Sequence, residues 1–229
     1  MLPSRHVPLT MTLFVVSFSA AASADEADFK VDRGQLTFDA EGQESGAFHS
    51  RKAHVPSDSS GVTIGRGYDM REKKADKIEA DLKKAGVSDD QAKLFAQAAG
   101  KKGDEARKFI KDTPGLKEIT PAQQKKLFEL SYAELEADVK RICGKDDVVK
   151  KYGETDWDKL HPAIRDVLVD LRFRGDYTPT AREKIQALVA KNDLKGFAAA
   201  LKVRGDWDGV PKDRFDRRTS LLDAAVKAK

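Results

Sequence analysis

Apolar residues in the second half of the chain recur at intervals of three and four. Ile164, Val167, Leu168 and Leu171 make one such stripe. Ile185, Leu188 and Val189 make another, followed by Leu194, Phe197, Ala198 and Leu201, and Leu221, Leu222 and Ala225 close the chain. Earlier, the same spacing joins Ile78, Leu82 and Ala85, then Leu94, Phe95 and Ala98, then Leu127, Leu130 and Leu135. A period near 3.6 lines such side chains up on one face, so each segment predicts an amphipathic helix with a buried stripe. Two helices also carry start signals. Thr120-Pro121 offers an N-cap threonine and a proline at the first helical position, with Gln123 and Gln124 in the first turn, and His161-Pro162 introduces the helix of Ile164.

Residues 28 to 70 have a different texture. Gly34, Gly42, Gly46, Gly61, Gly65 and Gly67 punctuate short apolar pieces. Leu36, Phe38 and Ala40 mark a short helix ending at Glu41, with Gly42 as its C-terminal cap. The segment "VTIG" reads as a strand bounded by turn residues, and "KAHVPSDSSG" before it as a loop or hairpin arm. No internal repeat, heptad array or low-complexity tract interrupts the chain. The expected class is therefore α+β: a small N-terminal lobe over residues 25–70 with a short β-hairpin, then a larger, mainly helical lobe over 71–229. The cleft between two such lobes is a natural ligand site.

The first residues are set aside from that domain. Arg5 and His6 precede an uncharged run, "VPLTMTLFVVSFSAAA", and Ala22-Ser23-Ala24 supplies a small-x-small cleavage pattern, so residues 1–24 read as a signal peptide. The run is too polar and short for a permanent span of roughly 20 residues. The expectation is an exported protein, periplasmic or secreted, that begins near Asp25 and has no stable membrane insertion after cleavage. Cys143 is the lone cysteine, which leaves no partner for an internal disulfide and suits a small buried hydrophobe. The formal charge of +4 is mild. Lysine-rich blocks such as "REKKADKIEADLKKAG" mix both signs at helical spacing, which marks solvated helix faces and no nucleic-acid track.

Chemistry is narrowed by elimination. His49, His54 and His161 show no ligand spacing, so no metal and no cofactor are expected. Gly65-Arg66-Gly67 puts arginine where a nucleophile elbow needs serine, and Met70 stands where a dinucleotide loop needs its third glycine. A carboxylate arrangement remains. Glu41 at a helix end and Asp69 after a strand can project into one cleft, with the Thr63 hydroxyl between them to hold a water or a sugar oxygen. Glycoside hydrolysis uses two carboxyl groups in unlike environments, one to protonate the leaving oxygen and one ionised.

The residues Glu41-Gly42, His54-Val55-Pro56 and Ser60-Gly61-Val62-Thr63-Ile64-Gly65-Arg66-Gly67-Tyr68-Asp69-Met70 resemble the signature of pesticin-type muramidases. These are bacterial toxins and effectors with a phage T4 lysozyme-like fold. Ile119-Thr120-Pro121 with Lys126-Leu127-Phe128, and Arg204 to Arg218 with its Trp207, Pro211 and Arg214, are similar to later segments of that fold. The resemblance implies a lysozyme that cuts peptidoglycan glycan strands, with an immunity or inhibitor protein as the partner such a toxin would meet. It implies Glu41 as general acid, Asp69 as the carboxylate that orients or activates water, and Thr63 as helper of that water. Arg214 matches an arginine near the catalytic glutamate, and it is placed with Tyr68 among the substrate-binding residues; lobe-joining ion pairing and packing are their other readings. Glu44 and Asp58 are the rival carboxylates: the Glu-Gly step favours Glu41, and Gly-Tyr-Asp favours Asp69. Trp157 and Trp207 suit either sugar stacking or a helical core.

Overall fold

Helix dominates the chain, and its sheet is a single antiparallel pair among the described residues. A computed structural model describes residues 29–228; the leader expected over 1–24 lies outside them. In chain order the elements are α1 Gln35–Ala40, β1 Thr63–Ile64, β2 Tyr68–Asp69, α2 Ala75–Lys84, α3 Asp89–Ala96, α4 Gly103–Asp112, α5 Pro121–Cys143, α6 Asp146–Tyr152, α7 Pro162–Arg174, α8 Pro179–Ala190, α9 Leu194–Leu201 and α10 Lys212–Lys227. The expected start signals act as caps. Thr120 and Gln123 form a reciprocal capping box on α5. His161 Nδ1 accepts from the Ala163 N–H at 3.2 Å on α7, and Thr178-Pro179 repeats the arrangement on α8.

Two apolar cores lie along α5. At 23 residues and about 1.5 Å per residue it spans roughly 35 Å. Leu127 belongs to a core with Val62, Ile64, Met70, Ile78, Leu82 and Phe95. Phe128, the next residue, belongs to another with Phe38, Ile164, Leu168, Phe197 and Leu222. Successive helical residues point about 100° apart, so one helix serves both cores. The lobes therefore do not divide at residue 70, as the change in texture suggested. Helices α2 to α4 pack with the hairpin, whereas α1 joins the C-terminal core, where Phe38 meets Phe128 edge-on at 5.1 Å between ring centroids. Glycine content reports what the backbone must do locally; core membership depends on which stripes face one another.

Strand pairing is brief. Thr63 lies opposite Asp69 and Ile64 opposite Tyr68, joined by Gly65-Arg66-Gly67. Both glycines have positive φ, +62° and +80°, which a three-residue hairpin loop requires and a side chain would resist. The expected arm before "VTIG" reaches the sheet as one bridge, His54 to Thr63, through N–H to O bonds of 3.0 and 2.8 Å.

Candidate functional site

Glu41 is the C-terminal cap of α1, its N–H donating to Thr37 O at 3.0 Å. Its side chain is about one-fifth exposed and is held from behind: Arg214 Nη1 donates to Glu41 Oε1. The other oxygen, Oε2, faces Gly67, 3.4 Å from where a Cβ on that glycine would stand. The same Cβ would come within 2.6 Å of the Phe173 ring, so a glycine here keeps the space beside the carboxyl group open. A cavity of about 380 Å³ opens in front of Glu41, a size usual for small-ligand sites. Gly42, Thr63, Gly65 and Gly67 line it on the hairpin side, Phe48, His54 and Pro56 at the loop, and Asp213 and Arg217 on α10.

Thr63 is buried on β1, and its hydroxyl donates to Gly61 O over a long 3.3 Å. Asp69 is positioned differently. Its carboxylate receives the Gly61 N–H, shared between its oxygens at 3.1 and 3.2 Å, and the Arg71 N–H at 2.8 Å. It lines a neighbouring hollow of about 330 Å³ with Lys73, Ser131, Glu134 and Phe173. Gly67 borders both hollows. The structure thus brings Glu41 and Thr63 to one cavity and places Asp69 across the Gly67 ridge from it.

Two residues expected to touch substrate do not reach the cavity. Arg214 is buried behind Glu41, where it also donates to both oxygens of Asp170 at 3.1 and 2.7 Å. Asp170 in turn accepts from Arg218 Nε at 2.6 Å, and Arg218 reaches Asp176 at 3.0 Å. Burial alone would lower the Arg214 guanidinium, but hydrogen bonding and charge from Asp170 and Glu41 outweigh it and raise it. Burial likewise opposes ionisation of Asp170, and the two arginines overcome it, holding its carboxyl below the usual range. Tyr68 is the second correction. Its ring is buried in the hairpin core, and its hydroxyl donates to Asp81 at 2.8 Å. Burial first, then the Asp81 carboxylate, push that phenol well above its ordinary value. An alternating strand sends Tyr68 to the face opposite Asp69, which is why it packs and does not line the site.

The rival carboxylates are placed elsewhere. Burial would raise Glu44, but hydrogen bonds from Gln124 and Arg51 and the charges of Arg66 and Arg51 hold it below the usual range. Its carboxylate is taken up by Arg51, Arg66 and Gln124 and does not line the cavity. Asp58 projects into solvent, paired with Arg107 at 2.6 Å. Trp157 and Trp207 are core residues, the latter donating its indole N–H to Ala200 O at 3.3 Å.

The sequence reading missed the wall formed by Phe48, His54, Asp213 and Arg217, and above all the role of Arg66. Arg66 is buried; its Nη1 donates to Phe38 O at 2.6 Å and its Nη2 to Glu44 Oε1 at 2.7 Å. Its guanidinium lies 3.9 Å from the Phe38 ring centroid. Gly42 accordingly does not act as a left-handed cap; a Cβ there would stand 2.2 Å from Arg66 Nη1. An arginine between two turn glycines was the available signal. Among the described residues, no group of three or more histidine, cysteine or carboxylate side chains forms a metal cluster, and no helix is long and apolar enough to cross a membrane.

No curated protein matches the chain. Residues 34–219, which include Glu41, Thr63, Asp69 and the Arg214–Asp170–Arg218 network, match a family described as a domain of unknown function, DUF8812. With that match spanning most of its length, the chain belongs to the DUF8812 family.

Proposed function

We propose that the protein is a lysozyme-like peptidoglycan hydrolase, an N-acetylmuramidase cutting the β-1,4 bond between N-acetylmuramic acid and N-acetylglucosamine. The observation that carries this reading is the convergence of Glu41, from a helix end, and Thr63, from a glycine-flanked strand, on one ligand-sized cavity. Arg214 occupies Oε1 of Glu41, which leaves Oε2, on the Gly67 side, to carry the proton given to the leaving oxygen. The Thr63 hydroxyl holds the water that attacks the sugar. Asp69 lines the neighbouring hollow beyond Gly67, and its remaining acceptor capacity serves to take, through intervening water, the proton that the attacking water loses; a carboxylate offers roughly four acceptor sites, and two N–H donors occupy part of them. Export to the periplasm or the medium would bring the site to its polymer, and the mild positive charge suits an anionic wall.

A second reading, a peptidoglycan-binding module of the same fold without turnover, draws support from the anchoring of Asp69 to Gly61 and Arg71. Both are tested by incubating the mature protein with purified sacculi and following turbidity and released muropeptides. Hydrolysis predicts new muramic reducing ends, with Glu41→Gln reducing the rate by about 10² to 10⁴ while the mutant still folds. Binding without release by either form would establish the module and reject the muramidase.

A further inference from the structure

Helix α1 is short and weakly supported from within. Its six residues follow Gly34, an N-cap in a left-handed conformation that offers no side-chain cap, and helices of this length are not stable alone. The direction in which Glu41 points therefore depends on groups outside the helix. Arg214 supplies one tie, from the C-terminal lobe. The other comes from the hairpin: Arg66, between two glycines that line the cavity, crosses to the Phe38 carbonyl of α1 and to Glu44 just beyond Glu41. Its guanidinium also packs on the ring of Phe38, a member of the C-terminal core, whereas the flanking Ile64 and Tyr68 belong to the other core. Glu44 is braced in turn by Gln124 of α5 at 2.9 Å and by Arg51 at 2.9 Å, and Arg51 is tied to Glu118 at 2.6 Å.

From this geometry we infer that Arg66 is a positioning residue, a strut that sets the wall carrying Glu41 against the hairpin carrying Thr63. It touches neither substrate nor the cavity itself. A planar guanidinium can serve a carbonyl, a carboxylate and a ring face together; an ammonium cannot do so from one position. The inference rests on the muramidase reading for its kinetic consequence and on the fold alone for its structural one.

The test pairs sacculus hydrolysis with amide hydrogen exchange in the mature protein, Arg66→Met and Arg66→Lys. Both variants are expected to lower kcat at least tenfold with KM changed less than threefold, and to speed exchange over residues 38–44. On a Thr63→Ala background, Arg66→Met should cost less than threefold, because the alignment it provides then serves no hydroxyl; residues acting through one another are non-additive. Unchanged kcat, or fully additive losses, in an active enzyme would overturn the inference. If the parent protein released no muropeptides, the muramidase reading would fail by itself, and exchange would decide about Arg66: protection over 38–44 unaltered in Arg66→Met would overturn it, and lost protection would support it. Should Arg66→Met fail to fold cooperatively, Arg66→Lys, which keeps the charge and most of the volume, carries the same comparison.

Discussion

Two arginines reach the segment that carries Glu41, one from each lobe, and their partners differ. Arg214 sits in an enclosed ion network in which Asp170 is fully buried and shared with Arg218. Arg66 is equally buried, but its partners are a neutral carbonyl and Glu44, whose side chain is one-third exposed. Pairing with a single, partly exposed carboxylate is reflected in its chemistry: desolvation lowers the Arg66 guanidinium despite the Glu44 charge, whereas the carboxylates around Arg214 raise it. One grip is a charge cluster whose disruption strands ions away from water. The other is one ion pair to a partly exposed carboxylate, a carbonyl hydrogen bond and a ring contact. The first governs whether the C-terminal lobe holds together, the second how its edge meets the hairpin.

The sharpest way to break the comparison is Asp170→Asn. It leaves Arg214 and Arg218 buried with reduced compensation, and removing one partner of such a cluster costs about 3–5 kcal/mol; urea unfolding measures it. A much smaller loss would mean that the arginines find other partners. The same residue sets a pH dependence. Its folded carboxyl lies below the usual range, so its contribution is fully present above the unfolded value of about 3.9 and disappears as pH falls through the folded value. The stability gap between parent and Asp170→Asn should be constant from pH 7 to 5 and close at more acid pH.

Gly67→Ala comes next, with about 1–3 kcal/mol expected from forcing a side chain into positive φ and against Phe173. Sacculus cleavage should fall further than stability does, since the added methyl narrows the space at Glu41 Oε2. Glu44→Gln tests the more exposed grip. It keeps a hydrogen-bonding shape but removes the charge, and after allowance for solvent screening of its partly exposed carboxylate about 1 kcal/mol is expected by thermal unfolding. Asp58→Asn closes the series: the carboxylate stands in solvent with Arg107, and neither the unfolding midpoint nor sacculus cleavage should move.

Much of this arrangement was legible beforehand because it is local. The capping residues at Thr120 and His161, the short helix before Glu41, and the strand and tight turn around Thr63 follow from residue types a few positions apart. The Glu-Gly step favoured Glu41 over Glu44, but what occupies Glu44 was not legible, because its partners Arg51, Arg66 and Gln124 come from three separate segments. Tyr68 was misplaced for a simpler reason. Neighbouring strand residues face opposite ways, and nothing within "GYD" says which face meets the core.

By itself, then, the amino-acid sequence determined the helical stripes, the caps, the glycine-jointed hairpin and the handful of side chains capable of acid chemistry, all of which express steric and hydrogen-bonding preferences over a few residues. Only the tertiary structure decided that α1 joins the C-terminal core, that Arg214 stands behind Glu41 and outside the cavity, and that Asp69 lies beyond the Gly67 ridge. These are outcomes of packing between distant faces, where burial and charge pairing are settled by the whole set of neighbours and by no single segment.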